Sequence, residues 1–266
     1  MDRAVAAWND QFARVWDRLP LRVGVVAFPR MTPFQAVIEA ARNIEADLAR
    51  NGNKPETWRV AGCETRDGVT VLSLRSLDGQ SEILKTMPIR FPDGREDVFY
   101  PNLAVEDKQV RCPHDFQHPK GQTYRHAKDL RSGDGVLVYP SYIAAVFLDS
   151  TAKRFEPLSS RQLMQWRRMR DLWRLIDRSV PSQTALRGAW SELVERRETW
   201  QGSEGTWLEG GEGAWLDLVR TVFHERLGVR SARLETLVQA ARDGLLEWSL
   251  EWHMGVLKKQ VSGGDR

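Results

Sequence analysis

Leu19-Pro-Leu-Arg-Val-Gly-Val-Val-Ala-Phe-Pro-Arg-Met-Thr-Pro-Phe-Gln-Ala-Val-Ile-Glu-Ala-Ala-Arg42 holds a strand, a turn and the start of a helix, and the way it is completed decides the fold. Leu21–Phe28 is a run of β-branched and small apolar residues set between Pro20 and Pro29, the composition of a buried strand. Thr32 is a capping residue and Pro33 suits a first helical turn. Phe34, Val37, Ile38, Ala41, Ile44 and Leu48 recur at helical spacing, which predicts a helix from Pro33 to Ala49, ended by Asn51-Gly52-Asn53. Upstream, Val5, Trp8, Phe12, Val15 and Trp16 predict a helix over Asp2 to Arg18. Helix, strand, helix is half of a split α/β sandwich. A single strand is short of partners, which must come from later in this chain or from another one.

Residues 57 to 149 read differently. Trp58-Arg59-Val60, Val69–Leu74, Glu82–Leu84, Val98–Tyr100, Gly135–Tyr139 and Ala144–Leu148 are short strand signals, separated by Asp67-Gly68, Asp78-Gly79 and Phe91-Pro-Asp-Gly94 turns. This part is expected to be antiparallel and β-rich. From Ser159 onward the pattern is helical, with helices expected at 160–178, 183–199, 212–227, 231–243 and 245–259, and a glycine-rich loop at Gln201–Gly213. The fold class is therefore α+β, in three regions: 1–56, 57–156 and a helical bundle at 157–260. A tail at 261–266 is expected to be disordered.

Composition narrows the function classes. A net charge of +3 over 266 residues supports no global electrostatic argument for nucleic acid. Locally, Arg161, Arg167, Arg168, Arg170, Arg174, Arg178 and Arg187 face only two acids, Asp171 and Asp177. Eight of the eleven tryptophans follow residue 150, and such side chains serve as core anchors or as interface anchors. Two cysteines make no disulfide framework, and neither a signal segment nor a run of ~18 apolar residues is present. A cytoplasmic, reduced protein with no membrane partner is expected.

Two clusters carry chemistry by residue type. Arg167, Arg170, Arg174 and Arg178 are spaced 3, 4 and 4, so they form a stripe on one helix whose buried side holds Leu163, Trp166, Leu172, Trp173 and Ile176. Guanidiniums at a pitch of about 5–6 Å suit successive phosphates, and the bland alternative is a solvated face balanced by acids from a neighbouring helix. Cys112, His114, His118 and His126 would supply the four ligands of a zinc site, although C-x-H-x₃-H is no established pairing, and a polar surface loop is the competing reading. Ser132-Gly133-Asp134-Gly135 reads as a structural turn into a strand. No Walker loop, dinucleotide fingerprint or nucleophile elbow is present.

Leu19–Arg42 resembles the palm domain of the large subunit of CRISPR type III effector complexes, in which a strand ending in Gly and small apolar residues leads into a Pro-initiated P-x-x-A-x-x-x-A helix. The run Tyr124–Phe155 and Val98-Phe-Tyr-Pro-Asn-Leu103 look like the divergent, III-C-like branch. Residues 1–156 carry this resemblance, and the helical remainder is similar only in being all-helical, like the small-subunit-like domain of that family. The resemblance implies a partial ferredoxin-like palm, lacking the HD nuclease region and the Gly-Gly-Asp-Asp hairpin expected to precede it. It therefore implies a non-catalytic structural component, either one half of a large subunit split over two polypeptides or a fragment of one. The missing half would dock at Trp8, Trp16, Val23 and Val25, beside Val23–Phe28. It implies guide RNA and target RNA along Arg161, Arg167, Arg168, Arg170, Arg174 and Arg178. Two rival readings stay open: a metal-dependent nucleotidyl cyclase or nuclease using the histidine cluster, and a pure protein-interaction scaffold anchored by tryptophans.

Overall fold

The computed structural model describes residues 1–51, 54–77, 79, 82–155, 160–202 and 206–262. The protein is mixed α+β, with an antiparallel sheet followed by helices. The chain forms two compact units, each built from separate stretches. One contains Met1–Val25, Ala41–Ala144 and Ser159–Met164, and the other contains Val26–Ala40, Ala145–Leu158 and Gln165–Arg266. The tail at 263–266, the helix end at 52–53 and residues 203–205 of the glycine-rich loop lie outside the described residues. Among the described residues, no helix is long and apolar enough to cross a membrane.

The first unit is organised by a seven-stranded sheet. Its strands are β2 (Glu56–Arg66), β3 (Val69–Ser76), β4 (Glu82–Pro88), β5 (Asn102–Val105), β6 (Phe116–Gln117), β7 (Thr123–His126) and β8 (Gly135–Val138), in the order β4-β3-β2-β8-β5-β7-β6. Every pairing is antiparallel. Alternation along the strands sends Trp58, Val60, Leu72, Leu74, Met87, Leu103, Val105, Val136 and Val138 to one face, where they form the core. Trp16 closes that core.

Several sequence expectations are corrected here. The first helix is α1, Asp2–Gln11, shorter than expected. Residues 12–18 are turns, because Arg14 donates to the carbonyl oxygens of Pro88 and Arg90, and Arg18 to those of Tyr100 and Asn102. Val98–Tyr100 is not a strand. Asp97 is fully buried and its Oδ1 accepts from the amides of Phe99 and Tyr100, while Asn102 Nδ2 donates back to the carbonyls of Val98 and Phe99. These local bonds replace ladder bonds, and the strand begins at Asn102 instead.

The opening stretch forms β1 (Arg22–Ala27) and α2 (Phe34–Asn51), joined by a turn in which the Thr32 amide donates to Pro29 O. The missing partner comes from later in this chain. A second sheet has the order β1-β9-β10, with β9 at Tyr142–Phe147 and β10 at Arg161–Gln162. The Tyr142 amide bonds Leu21 O and the Leu148 amide bonds Ala27 O, six residues further along both strands, so β1 and β9 are parallel. β10 pairs antiparallel with β9. Arg161 therefore sits in a strand, not on the helix where its spacing had placed it.

The second unit is mainly helical: α3 (Trp166–Ser179), α4 (Gln183–Trp200), α5 (Gly211–Thr221), α6 (Ala232–Arg242) and α7 (Leu245–Leu250), with α5 and α7 each widening into a π-helical turn. Ser182 Oγ caps α4 by accepting from the Ala185 amide. Large rings fill the interior. Trp166 meets Trp252 edge-on at 4.9 Å, and Trp173 lies flat on His253 at 4.6 Å. Ser249 Oγ donates to Met169 O, tying α7 to α3.

Candidate nucleic-acid interface

Helix α3 presents its buried face as the spacing predicts. Trp166, Met169, Leu172, Trp173 and Ile176 are all buried, as is Leu163 just before the helix. The outward face differs from the predicted stripe. Arg167, Asp171, Arg174 and Arg178 are the exposed row, spaced 4, 3 and 4, and the row is about 16 Å long. Arg167 is 90% exposed. Asp171 stands inside the row, 2.9 Å from Arg174 and 3.9 Å from Arg167. Arg168 turns aside to Asp243 at 3.0 Å, and Arg170 is half-buried, close enough to His253 to act on its charge. Three cations and one anion thus remain on the open face.

The residues expected at a partner interface separate into two groups. Trp16 is a core residue at 4% exposure, so no partner reaches it. Trp8, Val23 and Val25 line an apolar groove of about 540 Å³ between α1 and β1, together with Ala4, Val5 and Phe12. No residue of α1 is buried. Leu21 O, just before β1, and Ala27 O at its end accept from the β9 side, and β1 is an edge strand of its sheet. Among the described residues no strand pairs there.

The four expected metal ligands do not converge. His126 is buried, its Nδ1 accepts from the Lys128 amide, and its Nε2 donates to Asp97 O at 2.9 Å, so neither ring nitrogen has a lone pair to offer. Burial holds its pKa below the ordinary histidine value. His114 bonds Asp129 at 3.2 Å. His118 sits in the turn of the β6–β7 hairpin, where its Nδ1 accepts from the Lys120 amide. Cys112 is fixed through its amide, which donates to Asp115. Among the described residues, no group of three or more His, Cys, Asp or Glu side chains is placed to hold a metal ion.

What orders this loop is an ion pair that residue spacing did not reveal. Arg125 on β7 reaches Asp115 at 3.0 Å and Asp134 at 3.4 Å, with Arg125 3% exposed and Asp115 fully buried. Asp115 Oδ2 also accepts from the amides of Arg111 and Cys112, and Asp134 Oδ2 from the Arg131 amide. The Ser132–Gly135 turn and the Cys112–His118 loop thus share one buried guanidinium. No apolar alternation marks this strand in the sequence, where Arg125 stands between Tyr124 and His126.

Compared with known proteins, the chain matches no family model, no curated protein and no solved structure.

Proposed function

We propose that this chain is a non-catalytic, RNA-binding structural component of a CRISPR type III effector ribonucleoprotein, half of a split large subunit. The observation that carries the RNA-binding part is the exposed row of Arg167, Arg174 and Arg178 on α3. Guanidiniums held on a rigid helix with only one intervening acid suit the phosphate backbone, which positions a strand without reading its sequence. The palm-like character of Leu19–Arg42 is supported by the strand–turn–helix it forms, and guide and target RNA are the strands proposed for the row.

Reversing Arg167, Arg174 and Arg178 to Glu and titrating RNA against salt tests this reading. Weaker binding and a salt slope smaller by about one for each lost phosphate contact are expected. Unchanged affinity with an unchanged slope removes α3 from the interface.

A second reading, docking of a partner chain that completes the palm half, is favoured by the α1–β1 groove and the open edge of β1. An incoming strand would find β1 at the edge of its sheet and apolar walls from Val5, Trp8 and Val25. Val5→Lys with Val25→Lys should abolish co-purification with such a chain and leave the fold intact. Retained co-purification refutes it.

A further inference from the structure

The carboxyl ends of the parallel pair β1 and β9 lie side by side, joined by the Leu148 amide on Ala27 O at 2.8 Å. Open α/β sheets place ligands beyond such ends. The chain leaving β1 turns through Phe28–Pro33 into α2, and the chain leaving β9 enters a 3₁₀ turn at Thr151–Phe155. Arg154 of that turn bonds Glu39 of α2 at 2.5 Å, which holds the second loop against the first turns of the helix.

These loops expose what a fold normally hides. Phe28 is 45% exposed, Met31 89%, Phe34 72% and Phe155 63%. None of these side chains contributes to the core, so burial does not account for them. Cations stand among them: Arg30 and Lys153 are exposed, Arg154 lies over the Phe155 ring at 4.2 Å, and Lys258 lies over the Phe147 ring at 4.1 Å. Among the described residues the acids on these segments are Glu39, engaged by Arg154, and Asp149; Glu156 follows Phe155 in the sequence. Flat apolar rings interleaved with an excess of positive charge match the two halves of a nucleotide, a base that stacks and a phosphate that is anionic.

We propose that this surface is a stacking platform for single-stranded RNA. Phe28, Phe34 and Phe155 take bases, and Arg30 takes a phosphate, without sequence readout. The inference rests on the RNA-binding reading above, but it places contacts on different residues from the α3 row.

The test uses the full chain and fluorescein-labelled oligouridine and oligoadenosine, followed by anisotropy at low and moderate salt. Phe34→Ala and Phe155→Ala should each weaken binding about tenfold or more with the salt slope unchanged. Phe34→Trp should keep or strengthen binding. Arg30→Glu should weaken binding and lower the slope by about one. All three rings are exposed, so an unchanged thermal midpoint is expected in each variant. Wild-type affinity in both alanine variants, while the α3 charge reversals still abolish binding, overturns the platform and leaves the RNA reading standing. Loss in the phenylalanine variants alone sustains the platform and removes α3. A wild-type chain that binds neither oligonucleotide sinks both. If Phe34→Ala instead disrupts capture of a partner protein with RNA affinity intact, the surface is a protein interface and the proposal fails.

Discussion

Gly24 and Ile44 meet so closely that a Cβ on Gly24 would lie 2.9 Å from Ile44 Cγ2. Ile44 is buried, so the branch methyl of α2 rests directly on the β1 backbone. Gly24→Ala is expected to lift the helix from the strand at a cost of about 1–3 kcal/mol, the usual penalty for overpacking. Ile44→Leu keeps the volume and removes the β-branch, so it should cost less than about 1.5 kcal/mol alone. Combined with Gly24→Ala it should recover most of the loss. Urea unfolding of the four proteins in the cycle gives the coupling, and additive losses would mean that the close approach is not the cause.

The Arg125–Asp115 pair predicts a larger effect. Both groups are withdrawn from water, so removing one leaves the other charged and unpaired. Arg125→Ala should destabilise the sheet unit by about 3–5 kcal/mol, whereas a double replacement by apolar residues of similar volume should cost much less. Burial opposes the Asp115 carboxylate, but hydrogen bonds from Arg125 and the Arg111 and Cys112 amides outweigh it, and its pKa lies below the ordinary value of 3.8. A depressed carboxylate contributes stability above its unfolded pKa and loses it as pH falls through the folded one. Acid unfolding of wild type should therefore include a component below about pH 4 that is absent in the apolar double variant.

His253 acts at higher pH. It is buried against Trp173, its Nδ1–H donates to Ser249 O, and burial lowers its pKa from 6.5 to about 4. The unfolded chain therefore takes up a proton before the folded one does. Stability should fall as pH drops from about 6.5 to about 4, by at most about 3 kcal/mol, and then level off. His253→Gln should flatten this segment of the curve, and the denaturant midpoint of the helical unit between pH 7 and pH 4 reports it.

Asp17 has the opposite sign. Burial pushes its pKa up to about 6, and the neighbouring Arg18 only partly offsets this. A raised carboxylate contributes stability that is present below about pH 4 and is lost as pH rises through about 6. Asp17→Asn stays neutral throughout. It should match wild type near pH 4 and exceed it by up to about 3 kcal/mol at pH 8, less whatever the amide loses at Arg18. A variant weaker than wild type at pH 8 would show that the Arg18 contact outweighs desolvation.

The elements legible in the residues were those with an internal period. The buried side of α3 follows from apolar spacing alone, because a helix that must bury one face reveals it every three to four residues. The spacing also located the helix after Pro33, but its buried face is Ala36, Ala40, Ile44 and Leu48, while Phe34, Ile38 and Ala41 of the expected face are exposed. The strands that alternate between core and solvent were legible for the same reason. Val98–Tyr100 was misread because Asp97 and Asn102 offered its backbone a local alternative to a ladder.

Placement of the candidate site depended on segments far apart in the chain. The row on α3 passes through Asp171 rather than Arg170, since Arg170 lies beside His253, more than eighty positions later. Cys112, His114, His118 and His126 are near in sequence but are drawn to different partners: Asp115, Asp129, Lys120 and Asp97. β1 found its partner in β9 more than a hundred residues on, and that pairing brings the two exposed phenylalanine loops together. Periodicity is a property of one segment and can be read from it. A side chain's exposure, charge partner and free lone pairs depend on which other segment folds against it, and no local spacing encodes that.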